Sequence, residues 1–239
     1  MFNTHGVQLT WLGQSTYRIR SGGKTFYLDP FLTPNPLCPE SEKNPASADF
    51  ILVTHGHADH TSDLVSFAQR SKAKVVCMIE LGAWLIKQGV AREQVIALNK
   101  GGTIDAGGAK VTMVHADHSS SIEGPDGLCV YLGEPAGFII HFAEGLRAYF
   151  AGDTAIFGDM KLLAEIYQPE VAFLPIGDWF TMGPLEAAHA CRLLGVPCIV
   201  PNHYATMPQL TGTPAALRQH LQAAGTPCEV CEMKPGVTL

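Results

Sequence analysis

Residues Phe50 to His60 read FILVTHGHADH, an apolar run followed at once by four metal-competent side chains within six residues. The length of Phe50-Ile51-Leu52-Val53 and its lack of polar interruption mark a buried strand, whose C-terminal end delivers His55. Imidazoles and a carboxylate at such a place must be desolvated or paired. Four together repel one another or stay unsatisfied unless a cation organises them. Gly56 and Ala58 are small spacers that let a tight loop turn successive ligands toward one point. The plain alternative, an exposed polar loop, is disfavoured by this spacing of His55, His57, Asp59 and His60.

The flanking pattern supplies the frame for that loop. Val7 to Leu12, Thr16 to Arg20 and Thr25 to Leu28 read as strands, the last two joined by a Ser21-Gly22-Gly23 hairpin turn. After Thr61 the period changes: a helix around Leu64 to Ala68, a strand over Lys74 to Ile79, and a helix over Leu81 to Lys87 closed by Gly89. Strands return at Val95 to Leu98, Lys110 to Val114, Cys129 to Leu132, Gly137 to Phe142 and Ala148 to Phe150. The last third alternates helix Met160 to Tyr167, strand Val171 to Ile176, helix Leu185 to Leu194, strand Cys198 to Pro201, helix Pro214 to Ala224 and strand Cys228 to Met233. Strand meanders and βα units thus occur once in each half. The expected fold class is α/β, a four-layer αββα sandwich formed by one domain over residues 1–239.

Composition narrows the function. The chain is 46% hydrophobic and 16% charged, which suits a compact core and argues against disorder. A formal net charge of -6 and the absence of any Lys/Arg run exclude the usual footprint for nucleic acid. No signal-like N-terminus and no uninterrupted apolar span occur, so a cytoplasmic protein with no membrane partner is expected. Seven irregularly spaced cysteines fit a reducing compartment. Cys228 and Cys231 form the one C-x-x-C, and in an extended segment they face opposite sides, so they read as two unlinked thiols.

Three further ligand candidates follow strands: His118, Asp153 and His203. Singly each is better explained as a hydrogen-bonded structural residue. With the His55 loop they complete a set. That set, H-x-H-x-D-H with a distant His, an Asp and a last His, resembles the metallo-β-lactamase superfamily. The resemblance implies that His55, His57 and His118 hold a first metal ion, that Asp59, His60 and His203 hold a second, and that Asp153 bridges them. Asp29 corresponds to an acidic residue that orients a ligand without touching metal.

Finer motifs, namely YLDPFL from Tyr27, ADHS from Ala116, YFAGDT from Tyr149, PIGDWFTMG from Pro175 and NHYATMP from Asn202, are similar to small metal-dependent hydrolases related to ascorbate-6-phosphate lactonase. Two positions depart from that branch. Asp178 stands where P-I-G-G is usual, and Phe150 stands where a His is common.

The resemblance implies hydrolysis of a small ester, lactone or phosphodiester by a hydroxide shared between two divalent metal ions, with Asp59 and His203 as catalytic side chains. Imidazole plus carboxylate without thiolate suits zinc first, then manganese or iron. The second imidazole, His57, favours hydrolysis, because the superfamily's redox di-iron members carry a carboxylate there. The expected partner is a small-molecule substrate, and the branch suggests a homo-oligomer. The competing readings are a superfamily nuclease acting on RNA and a metal-stabilised binding protein without turnover. An exported β-lactamase and a glutathione-thioester hydrolase are disfavoured, the first for want of a signal segment, the second for want of an added C-terminal helical region.

Overall fold

The computed structural model describes residues 2–124 and 126–239. Strands β1 (Gln8–Trp11), β2 (Tyr17–Ser21) and β3 (Lys24–Leu28) form an antiparallel meander. The β2–β3 connection is Gly22-Gly23, because Ser21, expected in the turn, ends β2 and pairs with Lys24. Strand β4 (Phe50–Leu52) then adds parallel to β3. Helices α1 (Ala58–Thr61) and α2 (Leu64–Ser71) lead into β5 (Lys74–Met78), and α3 (Ile79–Lys87) into β6 (Val95–Leu98). Together they make a six-stranded sheet in the order β1-β2-β3-β4-β5-β6.

The second half starts antiparallel and ends parallel. It holds β7 (Thr103–Asp105), β8 (Lys110–His115), a separate hairpin of β9 (Ser121–Glu123) and β10 (Cys129–Tyr131), then β11 (Ala136–His141) and β12 (Arg147–Phe150). There follow α4 (Met160–Tyr167), β13 (Val171–Pro175), α5 (Pro184–Leu194), β14 (Cys198–Asn202), α6 (Pro214–Ala223) and β15 (Glu229–Val230). The seven-stranded sheet runs β15-β14-β13-β12-β11-β8-β7.

Alternation along the strands produces the layers. On β3, Phe26 points between the sheets and meets Phe142 edge-on, while its neighbour Tyr27 points outward onto Phe67 of α2. Tyr17 of β2 likewise packs edge-on against Phe150 and Phe173, which stack 4.0 Å apart on the opposing sheet. Helices α5 and α6 lie against β13 and β15 on the other outer face. The αββα arrangement read from the sequence is the observed one. Phe150, at the position where a histidine was a possibility, is a buried core residue.

Several local expectations change. Strand β5 stops at Met78 and passes without a loop into α3, two residues earlier than anticipated. The extended segment expected over Cys228 to Met233 pairs only at Glu229 and Val230. Cys228 neighbours Cys191, whereas Cys231 neighbours Cys198, so the two thiols of the C-x-x-C face different partners. All seven cysteines are free. Among the described residues, no helix is long and apolar enough to cross a membrane.

The topology gathers the candidate residues. His55, Asp153 and His203 follow the C-terminal ends of β4, β12 and β14, which belong to the parallel parts of the two sheets. Ligand sites in α/β folds lie outside such carboxyl ends.

Candidate metal centre

Asp29, just past β3, organises the loop after β4. Its Oδ1 accepts the Thr54 backbone N–H at 2.8 Å, and its Oδ2 accepts the Thr54 hydroxyl at 2.7 Å and His60 Nδ1 at 2.8 Å. The Thr54 hydroxyl spends its single hydrogen on Asp29, so it accepts from His55 Nδ1, 3.0 Å away. Both imidazoles therefore carry a hydrogen on Nδ1 and turn Nε2 toward Asp153 Oδ2. Asp29 touches a ligand candidate, His60, and stands outside the two ligand groups.

Gly56 is required by close approach. A Cβ there would lie 2.5 Å from the Leu132 side chain, which packs over the loop. One short turn, α1, then carries Asp59 and His60 inward.

Two groups of ligand atoms result. His55, His57 and His118 bring one atom each within 4.8 Å of one another, as do Asp59, His60, Asp153 and His203. Asp153 Oδ2 joins the groups: it lies 2.9 Å from His203 Nε2, 3.3 Å from His60 Nε2, 3.8 Å from His118 Nε2 and 4.0 Å from His55 Nε2. The structure brings together all seven side chains named from the sequence.

The donor set fits divalent cations. His60 Nε2 and Asp153 Oδ1 are buried without a hydrogen-bond partner, a costly arrangement for polar atoms. His55 Nε2 and His57 Nδ1 face each other at 3.0 Å, a contact between nitrogens that a shared cation relieves.

The protein's own charges answer one another in the same sense. Burial, and then the neighbouring His60, hold His55 well below the ordinary histidine range. Burial works against a charge on His203, but Asp153 and Asp59 overcome it and push the group up to about 9. Burial likewise opposes charge on His60, which Asp153, Asp59 and Asp29 raise nonetheless. Asp153 stays a carboxylate: burial disfavours this form, yet His203 and His60 hold its pKa well below the usual carboxylate range.

The cavity above the cluster has a volume of about 400 Å³ and is lined by His57, Ala58, Asp59, His118, Ser119, Asp153, Phe180, His203 and Met207. Gln14 contributes to the site and was not anticipated from the sequence. Gln14 donates from Nε2 to Asp59 Oδ2 at 2.7 Å, and its Oε1 accepts the Thr206 hydroxyl, which fixes the orientation of the amide. The Gln14 carbonyl also accepts the His203 N–H at 3.1 Å and the Trp11 indole N–H at 2.9 Å. The loop after β13, which carries the motif PIGDWFTMG, adds Phe180 to the lining. Tyr204, next to His203, stacks on Trp11 with ring centroids 5.3 Å apart.

Strain concentrates here. Among described non-glycine residues, Gln14, Asp29, Asp178, Trp179, His203 and Ala205 all have positive φ. Each costs roughly 1–3 kcal/mol, so the surrounding packing must over-determine them, as it does at functional sites. Asp178 has φ +69°, which explains why glycine suits that position. Its carboxylate compensates by accepting the Trp179 N–H at 2.7 Å.

A family model described as the beta-lactamase superfamily domain matches residues 24–204. Fold and match together define a metal-dependent hydrolase with the metallo-β-lactamase fold. The chain is 48% identical over 235 residues to a UPF0173 metal-dependent hydrolase of Rubrobacter xylanophilus, covering 98% of this chain and 96% of that one. A relative of the same description from Archaeoglobus fulgidus is 40% identical, covering 96% and 97%. Igni18, a metallo hydrolase from Ignicoccus hospitalis, superposes with a TM-score of 0.83 at 34% identity, covering 98% and 97%. The chain belongs to the UPF0173 metal-dependent hydrolase family of that superfamily.

Proposed function

We propose that this hydrolase is binuclear and acts on a small ester, lactone or phosphodiester. The observation that carries this is the placing of two adjoining ligand groups, linked by Asp153 Oδ2, on the floor of one cavity. His55, His57 and His118 would hold one ion, and Asp59, His60 and His203 the other, with Asp153 shared. Zinc suits this donor set first, then manganese or iron. When bound, two such ions supply an acidified water and polarise the substrate oxygen.

The chain's own residues do the rest. Asp59 and His203 both reach the cavity, so both can touch reacting atoms. The Asp59 carboxylate, steadied by Gln14, accepts the hydrogen bond that orients the attacking water. Asp29 and Thr54 keep His60 and His55 in the ligating tautomer. The lactone in this reading draws on the resemblance to ascorbate-6-phosphate lactonase. The net charge of -6 weighs against an RNA substrate. Seven free thiols agree with a cytoplasmic setting.

Purified protein loaded with zinc or manganese is expected to bind two equivalents by plasma mass spectrometry and to turn over an ester and lactone panel, with Asp59→Asn as the inactive blank. Absence of stoichiometric metal sinks this reading. A metal-replete protein silent across the panel favours the binding-protein alternative. Gln14→Leu is expected to weaken metal binding about 10–100-fold, as loss of a ligand's hydrogen-bond partner does. Competition with a chromogenic chelator checks this, and unchanged affinity would show that Gln14 acts only in packing.

A further inference from the structure

Within the proposed hydrolase reading, on which this rests, the geometry points to an uncharged carbonyl ester or lactone with a hydrocarbon arm, seated against Phe180 and Met207. Three observations carry it. First, the polar lining residues are the candidate metal ligands and Ser119, while Phe180, Met207 and Ala58 supply an apolar wall. Second, among the described residues no Lys or Arg lines the cavity. An anionic phosphodiester is ordinarily gripped by Arg or Lys as its charge develops, and neither is among the described lining residues. Third, the loop after β13 holds an aromatic pair outward. Phe180 is 47% exposed and Trp179 73% exposed, their rings 6.4 Å apart.

That display is built. Consecutive left-handed residues, Asp178 and Trp179, turn the chain out, and three hydrogen bonds lock it. Asp178 N–H donates to the Met182 carbonyl, Trp179 N–H to Asp178 Oδ1, and Met182 N–H to the carbonyl of Thr154, the residue after Asp153. A fold that strains its backbone to keep two aromatics in water, tied to the residue beside the central carboxylate, is presenting a surface for an apolar group. A cavity of about 400 Å³ lies in the lower part of the range for small-molecule sites. The chemistry is simple hydrolysis: water oxygen bonds to the carbonyl carbon, the acyl C–O bond breaks, and the departing alkoxide takes a proton. No redox partner is needed.

The test compares p-nitrophenyl acetate, butanoate and octanoate with bis(p-nitrophenyl) phosphate on the metal-loaded full chain. From acetate to octanoate kcat/KM is expected to rise about tenfold or more, and the octanoate to exceed the phosphodiester. In Phe180→Ala the gain with chain length is expected to shrink to about threefold or less, and Met207→Ala, checked by circular dichroism, guards against a folding defect in the first variant. A flat chain-length series, or a phosphodiester that outruns the octanoate, overturns the inference and leaves the hydrolase reading standing. Silence on every substrate sinks the hydrolase reading instead. The pocket is then judged by fluorescence quenching with octyl and methyl trifluoromethyl ketones, using Trp179→Phe to assign the signal. Tighter binding of the octyl compound supports the apolar site, and equal binding removes it.

Discussion

Asp153→Ala is expected to lose about a thousandfold or more of kcat/KM. The reason is position. One oxygen of this carboxylate lies within 4.0 Å of imidazole nitrogens from His55, His60, His118 and His203, so it is the contact through which the two ligand groups become one site. Its other oxygen is buried without a partner. Removing the side chain takes away a donor common to both groups. Steady-state kinetics with metal analysis of the same sample decide the outcome. A variant that keeps both metals and activity within about tenfold of the parent would show that Asp153 is a structural carboxylate and that the ligand assignment is wrong.

How much of this was legible in the sequence depended on whether the signal was local. The strand at Phe50 to Val53 and the His55 loop announce themselves because burial and ligand spacing are both written within eleven residues. His118, Asp153 and His203 were legible only as residues following strands, and it took the parallel pairing of β12, β13 and β14 to bring Asp153 and His203 together. Other features carry no local signature. Helix α1 is four residues long, too short to show a 3.6-residue period, yet it sets the direction of Asp59 and His60. Strand β7 is three residues between glycine-rich turns and exists because β8 offers an edge. Gln14 was missed because a lone Gln before Ser-Thr signals nothing. Its role comes from a backbone turn with φ +51° and from meeting Asp59 and Thr206, 45 and 192 residues away in sequence. The Asp178 departure was visible, but its meaning needed the backbone: an aspartate in a glycine-type conformation that repairs the strain with its own carboxylate.

Stripping metal with a chelator is expected to lower the melting temperature substantially without unfolding the protein at room temperature. The size follows from linkage: free metal at about a thousand times Kd stabilises by about 4 kcal/mol per site. For a domain near this size that corresponds to a shift of roughly 8–16 °C for one site. Survival of the metal-free fold follows from the structure. The core between and around the two sheets is continuous and excludes the cluster, and the carboxylates Asp59 and Asp153 face imidazoles that can answer their charge. What metal adds is partners for atoms that otherwise have none, His60 Nε2 and Asp153 Oδ1 among them. Differential scanning calorimetry with stepwise zinc or manganese addition reads this directly. Two increments are expected if the ligand groups fill in turn. A melting temperature that ignores saturating zinc and manganese would mean that the buried histidines and aspartates satisfy one another, and that the cluster is a polar core without a cation.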